Sequence, residues 1–276
     1  MKTTRSGPNQ QSQDAGGKGW LSHIVRAELI KLSSLRSTTY ALAASALSIL
    51  TMATYTAVGA TAGQVTGAGA GDTAWADPTG GALSGVYIAF FAVVTLGVVT
   101  VTGEYASTMM TSTMTAVPHR SRLVLGKGLA VASLTFPVVV VSTVMAFFAA
   151  RAVLATSGIS VSFAEPQVAR AVIGAGFYLT GLAVLGTGFG WLLRSTTGAL
   201  SALVVVLIVV PTLALLLPDS IGGKVLPYLP DNAGQALMAT TASGGQLDPW
   251  TGLVVFVAWI VITLTGAALW VRRRDA

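Results

Sequence analysis

Residues 84–103, SGVYIAFFAVVTLGVVTVTG, run without a charge, and residues 104–127, EYASTMMTSTMTAVPHRSRLVLGK, break that run with Glu104 and then Arg120, Arg122 and Lys127. A helix rises about 1.5 Å per residue, so about 20 apolar residues cross the roughly 30 Å of bilayer hydrocarbon. The pair of stretches therefore reads as a membrane span followed by a polar loop. Five more charge-free stretches have this length: residues 39–60, 129–150, 172–193, 197–217 and 250–271. Composition agrees, because only 9% of the 276 residues are charged and 53% are hydrophobic, against about 25% charged in a soluble domain. The expected fold class is an all-α integral membrane protein with six transmembrane helices. A soluble fold would need a much larger chain to bury six such runs.

Charge sets the expected orientation. The N-terminal segment through Arg36, the stretch 104–127, Arg194 and Arg272–Arg274 hold all but three of the 16 Lys and Arg residues. The intervening segments hold only Arg151, Arg170 and Lys224, beside Asp72, Asp77, Glu165, Asp219, Asp231 and Asp248. By the positive-inside rule, both termini are expected in the cytosol. The net charge of +6 thus reports topology, and a nucleic-acid partner is not expected, since the basic residues flank spans instead of clustering with aromatics. The chain has no cysteine, which removes disulfides and thiolate metal sites.

Residues 1–18 are polar and read as a disordered cytosolic tail, residues 19–37 as an interfacial connector helix and residues 38–276 as the six-span domain. In the connector, Leu21, Ile24, Val25, Leu29, Leu32 and Leu35 share one helical face, with Trp20 as an interfacial anchor. Glu28 falls inside that apolar arc, where an i,i+3 pair with Lys31, snorkelling to the interface or a contact with a partner would each accommodate it. Residues 61–83 read as a flexible external connector. Gly186 and Gly190 form a GxxxG pair that lets helix backbones approach closely, either within the chain, the favoured reading, or at a dimer interface. Pro137 and Pro211 are expected to kink their spans. Between the fifth and sixth spans, Asp231 or Asn232 could cap a short helix through Ala239 whose apolar residues rest on the membrane surface.

If the helix of the second span continues from Glu104 to Val117, Ala106, Met109, Met110, Met114 and Val117 form an apolar stripe. Glu104, Ser107, Thr108, Thr111, Ser112 and Thr115 then oppose it, facing a soluble partner. Pro118 ends that helix. Arg120, Arg122 and Lys127 read as topology anchors at the re-entry, whereas a lone carboxylate such as Glu104 at a span end has no topological role.

These features together resemble the permease subunits of type-2 ATP-binding-cassette transporters of actinobacterial type. The resemblance rests on Ala27-Glu28-Leu29 to Lys31 before the first span, Asp77-Pro78-Thr79 before the second, and Gly103-Glu104-Tyr105-Ala106-Ser107 through Pro118 with Arg120, Arg122 and Lys127. Tyr228-Leu229-Pro230 with Asn232-Ala233-Gly234, Pro249-Trp250 and Arg273-Arg274-Asp275-Ala276 complete it. The chain differs from the family at Thr108-Met109-Met110-Thr111, where relatives commonly have Gly, an apolar pair and Arg. The resemblance implies two six-span permeases, here a homodimer in a bacterial cell membrane, paired with two copies of a cytosolic ATPase. That ATPase would bind ATP and Mg, and this chain no cofactor. It also implies that Glu104, Tyr105, Pro118 and Arg120 lie in an ATPase-coupling element and Glu28 and Lys31 in the interfacial connector. Short extracellular helices are implied between the fifth and sixth spans.

Other chemistries are poorly represented. No GxxxxGK[ST] phosphate loop occurs, since Gly17-Lys18 is followed by Gly19. Only His23 and His119 are present, too few and too far apart for a zinc or haem pair. The expected function is that of a non-catalytic permease of an exporter. An integral membrane enzyme acting on lipid or prenyl substrates, and a non-transporting scaffold or immunity protein, are the alternatives.

Overall fold

A computed structural model describes residues 20–66, 78–107, 120–158, 162–240 and 245–274. The tail, Asp72, Trp75, Asp77, the Met109–Val117 stripe with Thr111, Pro118 and the final Asp275-Ala276 lie outside the described residues, as do the side chains of Trp20, Leu21 and Arg120. Among the described residues there is no strand. The helices are α1 (Trp20–Ser34), α2 (Arg36–Thr66), α3 (Pro78–Leu83), α4 (Val86–Ala106), α5 (Arg120–Ala155), α6 (Pro166–Leu193), α7 (Thr196–Val204), α8 (Val210–Ala214), α9 (Asp219–Val225), α10 (Pro230–Gln235) and α11 (Pro249–Arg274). A π-turn, Val205–Val209, joins α7 to α8, and 3₁₀ turns follow α9 and α10.

Six of these helical stretches are long and apolar enough to cross a membrane: α2, α3–α4, α5, α6, α7–α8 and α11. They coincide with the six apolar runs of the sequence, but their ends reach further. α5 begins at Arg120, ahead of the apolar run that starts at residue 129, because basic residues are good helix formers and hydropathy sees only the apolar part. Likewise, part of the expected flexible connector is helical: α2 continues to Thr66, and α3 is tied to it by the Thr56 hydroxyl donating to the Gly81 carbonyl at 2.8 Å.

α6 is the axis of the bundle. Its span is 78% buried, whereas those of α2, α7–α8 and α11 are only 22–28% buried, so the outer helices present their apolar sides outward. Small residues make the central crossing possible. A methyl group on Gly97 of α4 would lie 1.9 Å from the Ala183 carbonyl oxygen, and one on Gly186 would lie 2.7 Å from that of Val94. The GxxxG pair of α6 therefore packs on α4 within the chain, and backbones approach to a distance that no larger side chain permits.

Two irregularities follow from proline. Pro211 has no N–H and its ring opposes the carbonyl of Leu207; just before it the chain relaxes into the π-turn, where the Val210 N–H reaches back to the Val205 carbonyl. Pro230 occupies the first turn of α10, whose N-cap is Leu229 without a side-chain cap. Asp231 and Asn232 therefore do not cap it; the Asn232 amide donates instead to the Leu226 carbonyl at 2.8 Å. Nor do the apolar residues after α10 lie on an outer surface. Ala236, Leu237 and Met238 are buried, and methyl groups on Gly174 and Gly252 would strike the backbone carbonyls of Leu237 and Ala233 at 2.6 and 2.7 Å. The segment between α9 and α11 folds in against α6 because it has enough small and apolar surface to bury.

Candidate functional site: a buried charge clamp

Four charged side chains from three helices converge where α1, the end of α4 and the start of α5 meet. α1 sets Glu28 and Lys31 three residues apart, which places them on one face. Gly126 lets α1 come close, since a methyl group there would lie 2.4 Å from Ile24 Cγ2. That approach brings Glu28 to the neighbouring Lys127. The Lys127 ammonium donates to Glu28 Oε2 and to Glu104 Oε1, both at 2.6 Å. Lys31 donates to the same Glu104 oxygen. Lys127 is 0% exposed, Glu104 5% and Glu28 6%.

Two carboxylates and two ammonium groups make the cluster neutral, which is the condition for burying charge without a large desolvation penalty. Glu104 Oε2 is buried and has no hydrogen-bond partner among the described residues. Val101, Leu123, Val124, Trp191, Ala267 and Val271 form a small separate core, with Ile24 and Tyr105 packed against it.

The other side of the α4 terminus is held by Tyr105. Its ring meets Trp191 edge-on at 6.0 Å between centroids, and the Arg194 guanidinium lies 5.2 Å above it. Arg194 adopts a left-handed conformation, φ 53°, that ends α6. Ser195 then caps α7 by accepting the Gly198 N–H at 3.3 Å. Glu104 and Tyr105 thus fix the end of α4 in two directions, to α1 and α5 on one side and to α6 on the other.

The expected i,i+3 pair within α1 is replaced: Glu28 pairs with Lys127 and Lys31 with Glu104. Lys127 is a buried centre instead of a surface anchor, and Glu104 faces inward instead of toward solvent, because each charge is neutralised by the others. Of the predicted arc on α1, Leu32 is buried and Ile24, Val25 and Leu29 are partly buried, whereas Leu35 is 41% exposed. Pro118 lies outside the described residues, and only the backbone of Arg120, the first residue of α5, is described.

A second polar cluster joins α10 to α6. Asp231 accepts from the Tyr178 hydroxyl at 2.5 Å and the Gln235 amide at 2.7 Å. Burial pushes its carboxyl above the usual 3.8, and the two hydrogen bonds oppose that shift. Among the described residues, no group of three or more His, Cys, Asp and Glu is placed to hold a metal ion.

The fold and its apolar helices define a polytopic α-helical architecture suited to a membrane. No family model and no curated protein matches the chain.

Proposed function

We propose that the chain is the membrane-spanning permease subunit of an ATP-binding-cassette exporter in a bacterial cell membrane, with both termini in the cytosol. The observation that carries this reading is the clamp. Glu104 and Lys127 stand at the two ends of the stretch the sequence singles out as a coupling element. Both are joined to the N-terminal helix through Glu28 and Lys31. A segment held at its base by buried charges moves with the helices that hold it, so a push on that segment reaches α1, α4 and α5 together. The chain has no phosphate loop of its own, and the motive force would come from two copies of a cytosolic ATPase binding ATP and Mg. Two permeases would form the translocation path across the bilayer.

The test uses the chain co-expressed with a candidate cytosolic ATP-binding-cassette ATPase from the same genome. The two should co-purify, and Glu104→Gln should lower the ATPase rate of the complex several-fold while leaving co-purification intact. Single cysteines, placed in a chain that has none, should be labelled from the cytosolic side at Thr111 and from the outer side near Asp72. Failure of the two proteins to associate would remove the main support for transport.

A further inference from the structure

The clamp removes every described acid from the surface at its end of the bundle. Glu28 and Glu104 are buried in it, and so their charge is spent on Lys31 and Lys127. What stays exposed at that end is arginine: Arg26 on α1, Arg36 at the start of α2, and Arg272 and Arg273 at the end of α11. None of the four has an ion-pair partner among the described residues. They border one another along α1, because Ile24 packs in the same small core as Val271 and α1 runs into α2 at Arg36. The opposite end is balanced. There the exposed bases Arg151 and Lys224 stand among the exposed acids Glu165 and Asp248.

The arginines come with apolar neighbours at fixed spacing. Tyr40, 70% exposed, follows Arg36 by four residues, and Trp270, 43% exposed, precedes Arg273 by three. Those spacings put each aromatic ring on the side of its arginine. Tyr and Trp favour the headgroup level of a bilayer, and long basic side chains reach past it toward water. The same pairing on two separate helices marks one headgroup level. On α1 the apolar arc is taken up by the bundle, with Leu32 buried and Ile24, Val25 and Leu29 partly so. Its outer side carries Arg26 and Ile30, the latter 63% exposed.

This combination selects among anionic partners. An acidic protein surface would meet the arginines but would have to cover Ile30, Tyr40 and Trp270 with the same face. A phospholipid offers phosphate at the headgroup and hydrocarbon directly beneath it. The guanidinium fork matches phosphate oxygens two at a time, which an ammonium does not. A zwitterionic headgroup brings its own cation to that phosphate, so an anionic one is favoured.

We infer that the band formed by Arg26, Arg36, Arg272 and Arg273 binds the headgroups of anionic phospholipids, guanidinium to phosphate, with the acyl chains against Ile30, Tyr40 and Trp270. α1 is then gripped from both sides, by the clamp within and by lipid without. This binding needs no ATPase and stands or falls apart from the transport reading.

The experiment uses the full chain in phosphatidylcholine nanodiscs, with phosphatidylglycerol carrying a diazirine near the head of one acyl chain as the photoprobe. Label should fall on α1 and on the last turns of α11. Unlabelled phosphatidylglycerol should displace the probe at least about fivefold better than phosphatidylcholine, the ratio that about 1 kcal/mol supplies for even one basic residue at an anionic surface. Arg26→Gln, Arg272→Gln and Arg273→Gln together change only exposed positions, where substitutions leave folding nearly untouched. They should bring the two lipids close to parity. Phosphatidylglycerol should raise the melting temperature of the parent and not that of the triple variant. Arg151→Gln, at the balanced end, should leave the ratio as it is. Parity in the parent, a triple variant that keeps the full ratio, or label gathered around Trp250 would each overturn the inference. Parity together with polyglutamate binding to the parent in phosphatidylcholine discs would assign the face to an acidic protein instead.

Discussion

Replacing Lys127 by Met keeps most of the buried volume and removes the charge that holds the clamp together. Lys127 is fully buried and donates at 2.6 Å to carboxylates from two other helices. Without it, Glu28 and Glu104 remain buried with Lys31 alone to neutralise them. Breaking a buried ion pair from one side costs about 3–5 kcal/mol. At about 2–4 °C per kcal/mol for a chain of this size, thermal unfolding in detergent should shift down by roughly 10 °C. The informative companion is Lys127→Met combined with Glu104→Gln. That pair leaves one carboxylate and one ammonium, Glu28 and Lys31, which are three residues apart on α1 and close enough to pair. The double variant should recover about half of the loss, so the two substitutions should be non-additive by more than about 1 kcal/mol. Unfolding followed by tryptophan fluorescence reports the effect, since Trp191 belongs to the adjoining core. A single variant melting within a degree or two of the parent, or a double variant whose losses simply add, would refute the clamp.

Two further expectations concern other parts of the bundle. Gly97→Leu should prevent α4 from closing on α6 and lower the yield of folded protein severely, since even a methyl group there would lie 1.9 Å from a backbone oxygen. Gly266→Ala, where nothing lies within 4 Å, should be neutral or slightly stabilising, and size-exclusion profiles after detergent extraction distinguish the two. Asp231→Asn keeps an acceptor for only one of the two donors, so it should cost stability in acid, and its stability relative to the parent should improve as pH rises. Because burial raises the folded carboxyl above 3.8, the folded chain holds the proton more tightly than the unfolded one. The stability this gives is complete below 3.8 and is lost as pH rises through the folded value. Melting curves of both proteins across the acid-to-neutral range check this, and a difference that stays constant with pH would count against it.

The six long apolar helices were legible because each rests on a local property: an uninterrupted apolar run is long enough or it is not. The close packing of α6 was equally legible in Gly186 and Gly190. Its counterpart Gly97 was not, since one glycine in an apolar run carries no period. The clamp was half legible. Glu28 and Glu104 stood out as carboxylates in apolar settings, yet Lys127 read as one more base beside Arg120 and Arg122. Its partner Glu28 is 99 residues away, and pairing across such a distance leaves no local pattern. Asp231 shows the same limit. It read as a candidate cap for a short helix, but the hydroxyl that claims it comes from Tyr178, 53 residues earlier. What could have pointed to both is the scarcity of charge itself, because a carboxylate in an apolar bundle must find a partner somewhere.

The π-turn at Val205–Val209 gives the fifth span a tolerance that the others lack. A π-turn holds one residue more than the α-turn it replaces. Removing one residue there would tighten the turn to α-helix and leave α7 and α8 in their present orientations. The same deletion within α6 would rotate everything beyond it by about 100° and carry Gly186 away from Gly97. Among the described long helices, a single-residue loss can therefore be absorbed without re-aiming a helix face beside Pro211, at the π-turn.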